Sequence, residues 1–244
     1  MSESLGEVIA SDSQALQVEC HQLYGAPAFG SFVRAECLGS GTQFYGVVTR
    51  VATAPVDGNR VVQAHGMPPG ELEQRKPHLV DLLRTTFEVR LVGYGQGDAR
   101  VAATPPTPPR LHCFVYRATS EEVSGVTSTP AFLRPLTQVL DVPLEDLLVS
   151  AMQSAQAAWG PTAPLVTWGK FLARLLRNDY LTLEGVLQRL SPAPASFAIA
   201  TPFPPAPPKA NGNGKSAYRP PIYEEPLPIV GGAPREHRDP FADF

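Results

Sequence analysis

Phe44-Tyr-Gly-Val-Val-Thr-Arg-Val51 is the stretch on which the fold turns. It reads as a strand, and Gly46 sits inside it. A glycine within a strand pattern marks a bend or bulge, of the kind needed where a small barrel turns a corner. On its N-terminal side lie three more short strand-like segments, Glu7-Val-Ile-Ala10, Ala15-Leu-Gln-Val-Glu-Cys20 and Phe32-Val-Arg-Ala-Glu-Cys37. Asp12-Ser13, Gly25 to Gly30 and Gly39-Ser-Gly41 punctuate them. Closely spaced strands with glycine-rich turns predict a barrel or a sandwich.

On the C-terminal side the strands pause at residues 53–85. A turn at Pro55 to Gly58 is followed by Glu71-Leu-Glu-Gln-Arg-Lys-Pro-His-Leu-Val-Asp-Leu-Leu-Arg-Thr85. Leu79, Val80, Leu82 and Leu83 have helical spacing, and Pro77 suits a first helical turn, where its missing N–H costs little. Strands resume at Thr86 to Val92, Arg100 to Ala103 and Leu111 to Arg117, with Thr104-Pro-Pro-Thr-Pro-Pro109 as a stiff extended link. The period then changes. Phe132 to Leu140, Leu144 to Trp159, the stripe from Leu165 to Leu176, and Leu181 to Leu190 read as helices, the last weakened by Gly185. Asp141 is the expected N-cap of the second, with Glu145 and Asp146 in its first turn. So small a helical set is expected to pack on the β domain or on a second subunit.

Thirteen of the 27 prolines fall from Pro192 onward, and residues 191–244 show no sustained periodicity. That composition predicts a disordered tail. The organisation expected is therefore a β-barrel over 1–125 with a helical insertion near 70–85, a small helical segment over 126–190, and the tail over 191–244.

The net charge of −3 argues against a strong nonspecific nucleic-acid binder. Met1 to Gln14 shows no basic segment followed by an apolar core, and no apolar run approaches the ~20 residues of a membrane span. A cytoplasmic location is the expectation. Cys20, Cys37 and Cys113 are odd in number and lack a CxxC spacing, so buried thiols are expected rather than a disulfide framework or zinc site. Cys20-His21 and His112-Cys113 sit in strand-like runs, where adjacent side chains point to opposite faces and cannot easily grip one metal.

No catalytic constellation stands out. His21, His65, His78, His112 and His237 are scattered, and Asp81, His78 and Ser120 form a triad only by free choice. Gly39-Ser-Gly41 lacks a strand-to-helix elbow. Gly214-Lys215-Ser216 ends like a P-loop, but Lys209 stands where the first glycine belongs, and the prolines before and after exclude the strand and helix a P-loop needs. No catalytic, cofactor or metal residues are assigned.

Two binding features remain. Lys170, Arg174 and Arg177 stand at i, i+4 and i+7, one helix face that could meet phosphates with Arg189 from the next helix. The end His237-Arg-Asp-Pro-Phe-Ala-Asp-Phe244 offers Asp239, Phe241, Asp243 and Phe244 as a docking peptide. It is similar to the acidic, Phe-ended tips by which single-stranded-DNA-binding proteins recruit repair enzymes. Tyr218-Arg-Pro-Pro-Ile-Tyr223 is a second candidate ligand of extended type.

The β segment resembles a known family. Gly6-Glu-Val-Ile-Ala-Ser-Asp12, Gly30-Ser-Phe-Val33, Tyr45-Gly-Val-Val-Thr-Arg-Val51, Phe87-Glu-Val-Arg-Leu-Val-Gly-Tyr94 and Pro108-Pro-Arg-Leu-His-Cys-Phe-Val-Tyr-Arg-Ala118 follow the order of the HAS barrel. That is the small β-barrel of HerA-type DNA-translocating ATPases and rotary ATP synthases. The match spans about residues 5–120 and rests on structural glycines and apolar alternation. It implies a barrel of about six strands that oligomerises or docks on a partner, a hexameric ATPase of the HerA type being the candidate. The relatives' motor domain and P-loop have no counterpart here, so ATP hydrolysis is not carried over. The expected function is a non-enzymatic adaptor without cofactors. The alternative is a nucleic-acid-processing accessory protein that binds DNA through its local basic face.

Overall fold

The computed structural model describes residues 3–37, 41–59, 61–97 and 99–190. Seven antiparallel strands are present among them: β1 (Gly6–Ser11), β2 (Ala15–Cys20), β3 (Phe32–Glu36), β4 (Thr42–Pro55), β5 (Leu83–Gln96), β6 (Ala99–Val101) and β7 (Phe114–Arg117). They run in the order β2-β1-β7-β3-β4-β5-β6, and β2 also pairs with β5. Six strands therefore close into a barrel, with β6 attached to the far end of β5. The β1–β2 turn is tied by Asp12, whose Oδ1 accepts the N–H groups of Gln14 at 2.6 Å and Ala15 at 2.8 Å.

Val8, Val18, Val33, Phe44, Val48, Phe87, Val89 and Val115 fill the barrel. A second core lies on the outer face of the β3-β4-β5 wall. There Phe32, Tyr45, Val47 and Val92 meet Phe132, Leu136, Leu148 and Trp168 from the helices. Phe44 to Thr49 are all buried, because this wall has a core on each side. Gly46 lies at a register shift, as expected of a bend, and a Cβ there would collide with the Val89 side chain and the Arg90 carbonyl.

The helical layer comprises α3 (Ser120–Val126), the short α4 (Leu133–Leu136), α5 (Leu144–Trp159), α6 (Leu165–Leu175) and α7 (Tyr180–Leu190); α1 (Pro69–Arg75) and α2 (Pro77–Val80) belong to the barrel's insertion. Thr127, fully buried, organises both tryptophans. Trp159 Nε1 donates to its Oγ1 at 2.8 Å and Trp168 Nε1 to its carbonyl at 3.2 Å. The Phe132 ring stands edge-on to Trp168, with centroids 5.5 Å apart. Gly30, at φ +77°, admits α5 close to the barrel, since a Cβ there would strike Ser150. Gly185 plays the same part between α7 and α5, facing the Glu145 carboxylate.

Several expectations need correcting. The insertion helix stops at Val80, and Leu83 already belongs to β5, because the pairing of β4 with β5 extends to Pro55↔Leu83 and overrides the local leucine spacing. α1, over Pro69–Arg75, forms the first half of the expected helical insertion near 70–85, where the leucine spacing itself covered only the second half. Phe132 to Leu140 is not one helix: a 3-10 turn over Pro130–Phe132 runs into α4, which ends at Leu136. Asp141 does not cap α5. It is left-handed at φ 62°, and Pro143 occupies the cap. The last barrel strand begins at Phe114 rather than Leu111, because His112 is also left-handed.

α3 is a further addition, and Thr119-Ser-Glu-Glu122 explains it as a capping box. Thr119 Oγ1 accepts the Glu122 N–H, and the Glu122 carboxylate accepts the Thr119 N–H. The same carboxylate accepts from Arg34 of β3 at 2.5 Å, and Arg34 also reaches Glu36 at 3.3 Å. Side-chain exposure is 17 % for Arg34 and 6 % for Glu122, so this pair bonds helix to barrel out of water. Replacing Glu122 with Ala leaves the largely buried Arg34 with only the half-exposed Glu36 and opens the cap, and should cost about 3 kcal/mol. The paired change Arg34→Met with Glu122→Leu should cost less than that single change. Urea unfolding of the variants checks this; a Glu122→Ala protein within about 1 kcal/mol of wild type would show the pair to be dispensable.

Candidate functional site

Past Val48, β4 runs on as an edge strand; β5 beside it stays paired with β2 as far as Glu19↔Thr86, so only Thr53↔Thr85 to Pro55↔Leu83 extend from the barrel as a two-stranded arm. From Arg50↔Glu88 to Pro55↔Leu83, β4 pairs with β5 alone, whereas β3 reaches only to Val47. About half of the backbone groups along Arg50–Pro55 therefore point away from the sheet, as in any antiparallel edge. Thr85 anchors the arm to the loop after β2: its Oγ1 accepts the Tyr24 N–H at 2.9 Å and lies 2.9 Å from Thr53 Oγ1. At the tip, Tyr24, Pro55, Leu72, Leu79, Leu82 and Leu83 line an apolar recess of about 330 Å³. Val61 and Val62 stand at its rim, 82 % and 63 % exposed. The sequence shows these valines plainly, but only the fold gathers them beside an open strand edge.

The residues of the expected phosphate row do not all share one helix. Lys170 and Arg174 lie on α6, Arg177 just past its end, and all three are exposed. None joins an ion pair among the described residues. Arg189 does not extend the row. It is held by Glu145 at 3.2 Å and Asp146 at 2.6 Å, so its charge is spent within the fold. Arg134 stacks over Phe171 at 5.9 Å. Asp239, Phe241, Asp243 and Phe244 lie outside the described residues, as do Tyr218 to Tyr223 and the P-loop-like Gly214-Lys215-Ser216.

The cysteines overturn an expectation. Cys37, just after β3, and Cys113, just before β7, form a disulfide with their Cα atoms 4.5 Å apart. The two strands are neighbours, with Glu36 opposite Phe114, so the cysteines fall on the next cross-strand rung. A separation of 76 residues hides that meeting in the sequence. Cys20 stays a free thiol; burial, reinforced by Glu19, pushes its pKa up to about 11, which disfavours the reactive thiolate. His112 turns outward, its Nδ1 3.1 Å from the Glu7 carboxylate. The two Cys-His pairs thus do separate jobs, and among the described residues no group of three His, Cys, Asp or Glu could hold a metal. No helix among them is long and apolar enough to cross a membrane.

Set against known proteins, the chain matches no family model, and no curated protein matches it.

The disulfide closes a long loop, so its reduction should cost about 4.5 kcal/mol of stability on a chain-entropy account. Urea unfolding with and without dithiothreitol measures that loss. Denatured, unreduced protein should titrate a single thiol, that of Cys20; three titrating thiols would remove the bond.

Proposed function

We propose that the protein is a non-enzymatic assembly module whose barrel associates through the β4–β5 arm. The observation that carries this reading is the unpaired edge Arg50–Pro55, flanked by the apolar recess. An open edge with exposed Val51 and Ala54 is a template for a strand from another chain. A second copy of this chain is the occupant we favour. In an antiparallel pairing centred on Ala52 or on Thr53, Arg50 faces Ala54 or Val56 of the other copy, so the edge's one charge never meets itself. A closed barrel with this glycine pattern is in keeping with the HAS family, and an adaptor that docks on a hexameric ATPase of the HerA type is the finer form of the proposal. A cytoplasmic setting belongs to that finer form. The Cys37–Cys113 bond pulls against it, since such bonds are rare in reducing compartments.

Light scattering on the full chain at about 100 µM should give a mass near twice the 26.2 kDa of one chain, or a higher multiple. Ala52→Glu with Ala54→Glu places carboxylates opposite carboxylates in either register and should yield a folded monomer that melts in one cooperative transition, at a temperature that no longer depends on protein concentration. A wild-type protein that stays monomeric throughout would sink the self-association reading.

The row Lys170, Arg174 and Arg177, lacking ion partners among the described residues, favours a second reading, an accessory role on DNA. Three phosphate contacts predict a log-affinity against log-salt slope of about −2.7 on duplex DNA. Arg174→Glu should reduce both the affinity and that slope. Binding that ignores salt, or that survives the substitution unchanged, would exclude the row.

A further inference from the structure

A cavity of about 590 Å³ lies on the barrel's outer wall, away from the arm's recess. The β1–β2 turn forms one side, the segment Gln138 to Leu140 after α4 the other, and Thr49, Glu88 and Arg90 the floor. Its size is that of an ordinary ligand site. Arg90 is the only cation in the lining. It is partly buried, its Nε is buried without a hydrogen-bond partner, and its Nη2 has only a long 3.4 Å contact to Gln138 Oε1. The Nε of Arg34 is likewise buried without a partner, but Arg34 is held by both Glu122 and Glu36, whereas among the described residues no ion pair holds Arg90. Burial, opposed in part by the charge of Asp12, draws the pKa of Arg90 below the ordinary arginine value. A guanidinium taken partly out of water without a counter-charge is costly to keep unless something supplies one.

The two acids in the lining do not meet that need. Asp12 is engaged by the N–H groups of its own turn. Glu88 faces Arg50 at 3.9 Å. Their charges do, however, discriminate among ligands. A phosphate would bring two negative charges against a wall that already carries two carboxylates and one arginine. A peptide brings a single carboxylate for the planar fork of Arg90, together with main-chain N–H groups for the acidic oxygens. Leu140, 82 % exposed at the rim, offers an apolar contact for a neighbouring side chain.

We infer that this cavity binds an extended peptide segment of another protein, with Arg90 pairing to an aspartate or glutamate side chain of that segment. The site would give an assembly module a second point of attachment, separate from the arm.

A random dodecapeptide library displayed on phage and panned on the full chain tests this. Recovered peptides are then synthesised and titrated by fluorescence polarisation against wild type, Arg90→Gln and Arg90→Lys. The recovered sequences should share one acidic position. Affinity should fall at least tenfold with Arg90→Gln, and equally when the acid becomes its amide, with no further loss when both changes are combined; Arg90→Lys should restore part of it. If Arg90→Gln fails to fold, Leu140→Asp at the exposed rim reads the same site and should weaken binding. Failure to recover peptides, peptides without an acid, or binding indifferent to Arg90 and Leu140 would each overturn the assignment. Inorganic phosphate that displaces the peptide at equal concentration would make this a simple anion site and overturn the peptide reading. Repeating the titration on Ala52→Glu/Ala54→Glu protein separates the outcome from that of self-association, because peptide binding here does not need the arm.

Discussion

Everything in this fold depends on one strand having no water on either face. Phe44 to Thr49 of β4 are buried without a break, alternating between the barrel interior and the helical layer. Phe44 and Val48 belong to one core, Tyr45 and Val47 to the other. Neither core could be completed without the shared wall. Stripping away the helices would leave Phe32, Tyr45, Val47 and Val92 exposed together, an apolar patch of the sort that soluble monomers avoid. The small helical set is therefore the barrel's outer cladding, and the two stabilise each other.

Most polar groups beneath the cladding find partners from both layers, the Nε of Arg34 excepted. Tyr45 hydroxyl donates to Gln43 at 2.6 Å and accepts from Arg100 of β6 at 3.3 Å. Burial raises the Tyr45 pKa, against the lowering effect of the Arg100 hydrogen bond, so the phenol stays protonated and can serve as that donor. Arg34, Glu122 and Thr119 continue this polar seam to the start of α3. An apolar contact alone tolerates sliding. A seam of charged hydrogen bonds fixes where α3 sits, because any shift would leave a buried charge unpaired.

Much of the architecture is legible in the residues. The strand-like runs, the bend at Gly46 and the helices over Leu144–Trp159 and Leu165–Leu175 follow from alternation, glycine placement and helical spacing. The features that escape such a reading are set at a distance. Leu82 and Leu83 look helical locally, yet the long β4 partner draws Leu83 into a strand. Cys37 and Cys113 look like ordinary buried thiols until β3 and β7 become neighbours. The capping box at Thr119 is local and readable, but α3 has only seven residues, too few for a periodic apolar stripe to draw notice. The isolation of Arg90 is the least legible of all. An arginine on a strand reads as fully solvated, and only the overhang of Gln138 to Leu140 shows that it is partly buried.

The two halves of β4 also divide the labour. Up to Thr49 the strand is locked between cores; from Arg50 onward it pairs with β5 alone. The division falls at a register shift between Val48 and Arg50, which leaves Thr49 as the extra residue, its hydroxyl turned to the Glu88 carbonyl at 3.3 Å. A bulge of this kind bends the strand and re-aims the residues beyond it. It lets one continuous hairpin serve as core wall at one end and as a projecting edge at the other. Substitutions in the arm can then change its surface while the two cores stay intact, and substitutions at Phe44 to Val48 cannot avoid disturbing both. That separation gives the hairpin a rigid base set by buried packing and an open edge whose chemistry can vary with little cost to the fold.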